Sequence, residues 1–114
     1  MKKKTVFFLV VLLSVLAFSI AVAENKTPED RGMAHFNNPE FAGGKRSCNS
    51  CHPNGRGLEG AGAKNGFAIM GGQQGSLAEA VNVCIVNANK GNALKPDSTE
   101  MQEIISFIKS LGKK

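Results

Sequence analysis

Cys48-Asn49-Ser50-Cys51-His52 sets two thiols three positions apart and puts an imidazole directly after the second. Two thiols at that spacing can reach the two vinyl groups on one edge of a porphyrin and form thioethers. The next residue can then swing its ring under the iron. The five residues therefore predict one covalently bound haem c, with Cys48 and Cys51 as attachment points and His52 as the proximal iron ligand. Cys-x-x-Cys alone also serves as a redox dithiol or as half a zinc site. Zinc needs four ligands, and the chain holds only one further cysteine, Cys84, and one further histidine, His35. A thioredoxin-like dithiol needs a βαβ pattern, and none is visible.

The elements that must position this motif read as helices. Pro28 suits the first turn of a helix over residues 28–36, stopped by Asn37-Asn38-Pro39. Pro53 forces His52 out of helical geometry, so the short turn carrying the motif should end there. Residues 54–75 hold eight glycines in 22 positions and read as a loop able to lie against a flat ligand. Ser76-Leu77-Ala78-Glu79 is a capping box opening a second helix. Its Leu77, Ala80, Val81, Cys84 and Ala88 share one face, and Gly91 is the expected C-cap. Ser98 or Asp97 caps a last helix, whose apolar stripe is Met101, Ile104, Ile105, Ile108 and Leu111, closed by Gly112. Nothing alternates as a strand should. The expectation is an all-α fold of small helices packed around one haem.

Lys2, Lys3 and Lys4 precede an apolar run over residues 6–23 that contains Ser14 and Ser19 and ends Ala21-Val22-Ala23. A charged start, an apolar middle and a small-residue end predict a secretory signal over residues 1–23 and a mature domain over residues 24–114. An uncleaved anchor helix is the alternative, because 18 residues just span a bilayer. Export places the protein in the periplasm or an equivalent extracytoplasmic compartment, where haem c is attached in bacteria. The predicted mature chain has 91 residues, with 11 Lys and Arg against 9 Asp and Glu. Two haem propionates would bring its charge to about zero, so neither nucleic acid nor a membrane is an expected partner. Four Phe and no Trp or Tyr remain in it. So thin a core needs the haem's apolar mass, and the chain without haem is expected to be largely unfolded.

With these pieces placed, the chain resembles class I cytochromes c. In that family the first helix carries a Gly and, four residues on, an aromatic, and it crosses a last helix bearing another aromatic; here these would be Gly32, Phe36 and Phe107. A narrower resemblance covers the last forty residues: Leu77-Ala-Glu-Ala-Val-Asn-Val-Cys84, Gly91, Leu94 and Ser98-Thr-Glu-Met101 look like the haem domains of SoxA-type and thiosulfate dehydrogenase cytochromes. The segment is also similar to the small monohaem His/Cys cytochromes described as heterodimers in anaerobic ammonium-oxidising bacteria. That resemblance implies Cys84 as the second axial ligand and a related small cytochrome as a dimer partner. The chain departs from the enzymes at Ala80 and Asn89, where they tend to carry Arg and Met, and its 114 residues hold one Cys-x-x-Cys-His motif where the dihaem enzymes need two.

Class I domains usually take their second ligand from a Met in the loop before the last helix, but residues 89–97 contain neither Met nor His. Cys84 is the leading substitute, since thiolate is a good ligand for ferric iron. Its alternative reading is a small hydrophobe on a helix face. Met70 in the glycine-rich loop is the rival ligand, and an open site the remaining choice. Met33 and Met101 read as packing residues; His35 could make a bis-His site, but its place on the first helix favours a surface role. Asn89 and Lys90 sit where a pocket mouth would be. Lys45, Arg46 and Arg56 read as solvated charges near the motif. A His52/Cys84 pair implies a low-potential haem, because thiolate stabilises the ferric state. The expected role is redox chemistry with transient redox partners, and binding of NO or CO when reduced, rather than an enzyme. A simple one-electron carrier with a fixed sixth ligand is one alternative; the haem subunit of a sulfur-oxidising enzyme is another.

Overall fold

The structure is a computed structural model describing residues 25–113, so the predicted signal over residues 1–23 lies outside the described residues. Three α-helices carry the described chain: α1 (Pro28–Asn37), α2 (Leu77–Val83) and α3 (Thr99–Leu111). A short hairpin of β1 (Phe67–Ile69) and β2 (Gly72–Gln74) stands between the first two. The architecture is a small, mainly helical fold with one two-stranded antiparallel sheet.

Helix α1 starts at a reciprocal cap. Thr27 Oγ1 accepts from the Asp30 N–H at 3.2 Å, and the Asp30 carboxylate accepts from the Thr27 N–H at 3.1 Å. The helix runs one residue past its expected end before Asn38 takes extended geometry ahead of Pro39. Gly32 faces α3 so closely that a Cβ there would lie 2.7 Å from the Glu103 carbonyl carbon and 2.8 Å from Phe107 Cβ. The two backbones can approach because no side chain intervenes. The Phe36 and Phe107 rings fill the crossing, with centroids 5.0 Å apart and planes tilted by 57°.

Helix α3 opens at Ser98, whose Oγ accepts from the Met101 N–H at 3.3 Å. Its predicted stripe is buried throughout, and Phe107 and Glu103 are buried with it. Glu103 is a charged residue at the helix crossing, and it is held there by two partners. Arg31 donates to one carboxylate oxygen, and His35 Nε2 lies 2.9 Å from the other. His35 is therefore not the surface residue expected: its ring also stacks on Phe41, with centroids 4.6 Å apart. Met33, expected to pack, is half-exposed, although it borders a surface hollow with Phe36, Phe107 and Leu111.

Two further corrections concern residues 54–91. The glycine-rich stretch is not loop throughout: Phe67 pairs with Gln74 and Ile69 with Gly72 across a two-residue turn. Met70 and Gly71 form that turn with φ of 49° and 79°, the positive pair a type I′ turn requires. Strands of three residues are too short to show alternation, and Met-Gly lacks the usual Asn-Gly signature, so the all-α expectation missed them. The second helix also ends early. Its cap forms at Ser76 Oγ, but the Glu79 carboxylate turns to the Gly75 N–H at 2.7 Å instead of closing the box. Beyond Val83 the chain widens into a π turn, Cys84–Ala88, with the Asn89 N–H donating to the Cys84 carbonyl at 3.0 Å. The left-handed residue after it is Lys90, with φ 60°, not the predicted Gly91. Gly91 is small for another reason: a Cβ would lie 3.0 Å from the Ala42 carbonyl oxygen and 3.1 Å from Ile85 Cγ2.

The core lies between α1, α2 and α3. Phe36, Ile85, Met101 and Ile104 are its most deeply buried side chains. The Asn82 side chain ties α2 to the loop before α3, donating to the Leu94 carbonyl and accepting from the Leu94 N–H, both at 2.8 Å.

Candidate functional site

The two-thiol motif forms a tight turn with a stop built into it. Cys48–Ser50 is a single 3₁₀ turn, and both the Cys51 and His52 N–H groups donate to the Cys48 carbonyl, at 3.2 and 3.0 Å. His52 then leaves helical geometry at φ −122° and ψ 69°, as the following Pro53 predicts. Asn49 Oδ1 accepts from the Asn54 N–H at 2.8 Å and holds the two sides of the turn together. Gly55 is buried directly beneath Leu111, where a Cβ would lie 2.5 Å from Cδ1. The motif is thereby seated on the end of α3.

His52 is oriented from behind. Its Nδ1 lies 3.0 Å from the Arg56 carbonyl oxygen. A carbonyl oxygen only accepts, so Nδ1 carries the hydrogen, and in the neutral ring Nε2 is then the nitrogen with the free lone pair. This is the arrangement that second-shell partners impose on metal-binding histidines.

In front of the turn is a small apolar cleft of about 80 Å³. Phe36, Phe67, Ile69, Leu77, Ile104 and Ile108 form much of its wall. Cys48, His52 and Cys84 are the side chains in its lining that carry sulfur or nitrogen. Three of the four predicted site residues thus share one cleft, Cys48 and His52 from the motif turn and Cys84 from the start of the π turn. Cys51, the fourth, is exposed and does not line the cleft, although it lies near enough to Cys84 to help push that thiol up. All three cysteines are free thiols. Burial pushes the Cys48 thiol up from its ordinary value, partly offset by a hydrogen bond from Asn89; burial likewise pushes Cys84 up.

The other sequence candidates fall outside the cleft lining. Met70 sits exposed at the hairpin tip, and Met101 is fully buried in the core. Lys90, Lys45, Arg46 and Arg56 are exposed. Asn89 is buried, 5% exposed, and its Nδ2 donates to Cys48 Sγ at 3.5 Å. The sequence reading put Asn89 at the pocket mouth without foreseeing its bond to Cys48, and it missed Glu103 altogether. The one available signal was a polar residue inside an otherwise apolar pattern, at position 103 within the α3 stripe.

Among the described residues no three His, Cys, Asp or Glu side chains converge as a metal site. Comparison with models of protein families, with curated proteins and with solved structures finds no match to this chain.

Proposed function

We propose that this chain is an exported monohaem c-type cytochrome of class I-like fold, whose haem would sit at the apolar cleft with His52 and Cys84 as the residues that would hold its iron. The observation that carries the reading is the shared cleft. A pre-oriented imidazole and a cysteine from a distant helix line one otherwise apolar space, beside a thiol of the attachment motif. Two ligands are too few for a protein-only metal centre, but they are the number a porphyrin leaves to its protein. The residues present therefore fit the group. When bound, the haem supplies one-electron chemistry and, if Cys84 gives up its place after reduction, a position for NO or CO.

The chain's own residues divide the remaining work. Cys48 and Cys51 provide the covalent attachment. The Arg56 carbonyl keeps His52 Nε2 available and strengthens it as a donor. Cys84 would be the second protein ligand, and a ferric charge there would oppose the upward push of burial and favour its thiolate, a donor that lowers the potential of a haem. The aliphatic walls exclude water. Transient redox proteins and a related small cytochrome are the partners this reading implies, in an extracytoplasmic compartment.

Intact mass of the exported protein tests the attachment. A colourless, folded wild type at polypeptide mass refutes the proposal. Optical and magnetic resonance spectra of the ferric protein beside Cys84→Ala test the ligand: a changed low-spin signal is expected, and identical spectra remove Cys84. CO added to the reduced protein separates gas binding from a fixed-ligand carrier, which would give no spectral change. A persulfide mass on Cys84 after thiosulfate treatment would instead favour sulfur chemistry.

A further inference from the structure

The motif turn and the Cys84 turn belong to chain segments more than thirty residues apart, yet one buried residue bonds to both. Asn89 Nδ2 donates to Cys48 Sγ at 3.5 Å, its main-chain N–H donates to the Cys84 carbonyl at 3.0 Å, and its carbonyl accepts from the Lys45 N–H at 2.8 Å. The strand of chain before the motif is latched to the same place. Ala42 is held at φ 55°, and its carbonyl accepts from the Asn92 N–H at 2.8 Å. Gly44 lies so near that a Cβ would be 3.0 Å from the Asn89 carbonyl oxygen.

We propose that Asn89 is a positioning residue that fixes Cys84 relative to the Cys48–His52 turn, and so governs how readily Cys84 leaves its place in the cleft. A π turn is a less favourable form of helix than the α turn it replaces, and such turns persist where something holds them. Here the holding group is the Asn89 carboxamide, whose bond to the Cys48 sulfur anchors the far end of the turn that begins at Cys84. Without that bond the turn is free to tighten towards α geometry. The Lys45 tie then stretches, and the wall carrying Cys84 moves away from the wall carrying His52. The inference rests on the haem reading for its functional meaning, but its geometry stands on this chain's own hydrogen bonds.

The test uses exported wild-type protein, Asn89→Leu, and Asn89→Ser. Leucine matches the shape of asparagine without a donor; serine keeps every main-chain bond but is too short to reach the sulfur. Each protein is treated with iodoacetamide well below its melting temperature, and alkylation of Cys84 is followed by peptide mass. Sulfur is a weak acceptor, so a net bond of about 0.5 kcal/mol predicts roughly twofold faster labelling in both variants. In the haem-loaded forms, the ferric resonance should split into two low-spin species or gain a high-spin component. A purely structural role would lower the melting temperature and leave both readouts unchanged, and that result overturns the assignment. A wild type lacking the haem mass defeats the function proposed above, not this inference. Labelling at equal rates in wild type and in whichever variant folds overturns it in either case.

Discussion

Replacing Gly32 with alanine should be the most damaging single-methyl addition at the α1–α3 crossing. The added Cβ would sit 2.7 Å from a main-chain carbon of Glu103 and 2.8 Å from Phe107 Cβ, whereas ordinary contacts begin near 3.4 Å. Neither neighbour is the free end of a flexible side chain, so the helices must separate by several tenths of an ångström or more. Separation loosens the Phe36–Phe107 contact and draws Arg31 and His35 away from Glu103. Overpacking of this kind costs about 1–3 kcal/mol, and a backbone obstacle places this case at about 3 kcal/mol. For a domain of this size each 1 kcal/mol shifts the melting temperature by about 4–8 °C, giving a drop of roughly 12–24 °C. The assay is thermal unfolding of the purified protein followed by circular dichroism. Gly60→Ala is the control, since a Cβ at Gly60 meets nothing within 4 Å. Its melt should match wild type or rise slightly, as the unfolded chain loses freedom. If Gly32→Ala melts within about 3 °C of that control, the crossing is not as close as argued, and the reasoning fails.

Two further outcomes can be measured directly. The Arg31 hydrogen bond, and after it His35, hold the Glu103 carboxyl below the usual 4.5 despite its burial. A depressed carboxylate stabilises the fold fully above its unfolded value and loses that contribution as pH falls through the lower folded value. Glu103→Gln should therefore cost about 1–2 kcal/mol at pH 7, a figure kept modest because Arg31 is partly exposed. The gap to wild type should close below about pH 4.5, and a gap constant from pH 7 to 3 would contradict the assignment. A chain produced without haem should show no cooperative thermal transition and should be digested rapidly by protease, because the cleft side chains would then face water. A sharp melt from that material would show that the polypeptide core suffices.

The parts of the fold that were legible in the sequence are those whose physics is local. Pro28, Ser76 and Ser98 announced the three helix starts through missing or satisfiable N–H groups. The α3 stripe repeats at helical spacing because one face meets the core. Pro53 marked where the motif turn ends. The site was legible to the extent that Cys48, His52 and Cys84 meet in one cleft. What stayed hidden depends on partners distant in sequence. His35 looks like a surface residue until Glu103 comes to it across 68 positions, and Asn89 looks like loop until it meets Cys48. Ile85, eight residues on from Leu77 and four from Val81, belongs to the same helical face and was simply left out of the stripe. The hairpin was missed because three residues cannot display a period of two.

A π turn amounts to an α-helix that has accommodated one surplus residue. At Cys84–Ala88 chain length therefore matters as much as residue type. Deleting one residue there would restore an uninterrupted α-helix, yet would pull residues 89–92 one step short of the segment they now meet at Ala42 and Lys45. Insertions and deletions should be far better absorbed at the exposed Met70-Gly71 tip. Length variation among natural versions of this chain should accumulate at that tip and be scarce between Cys84 and Asn92.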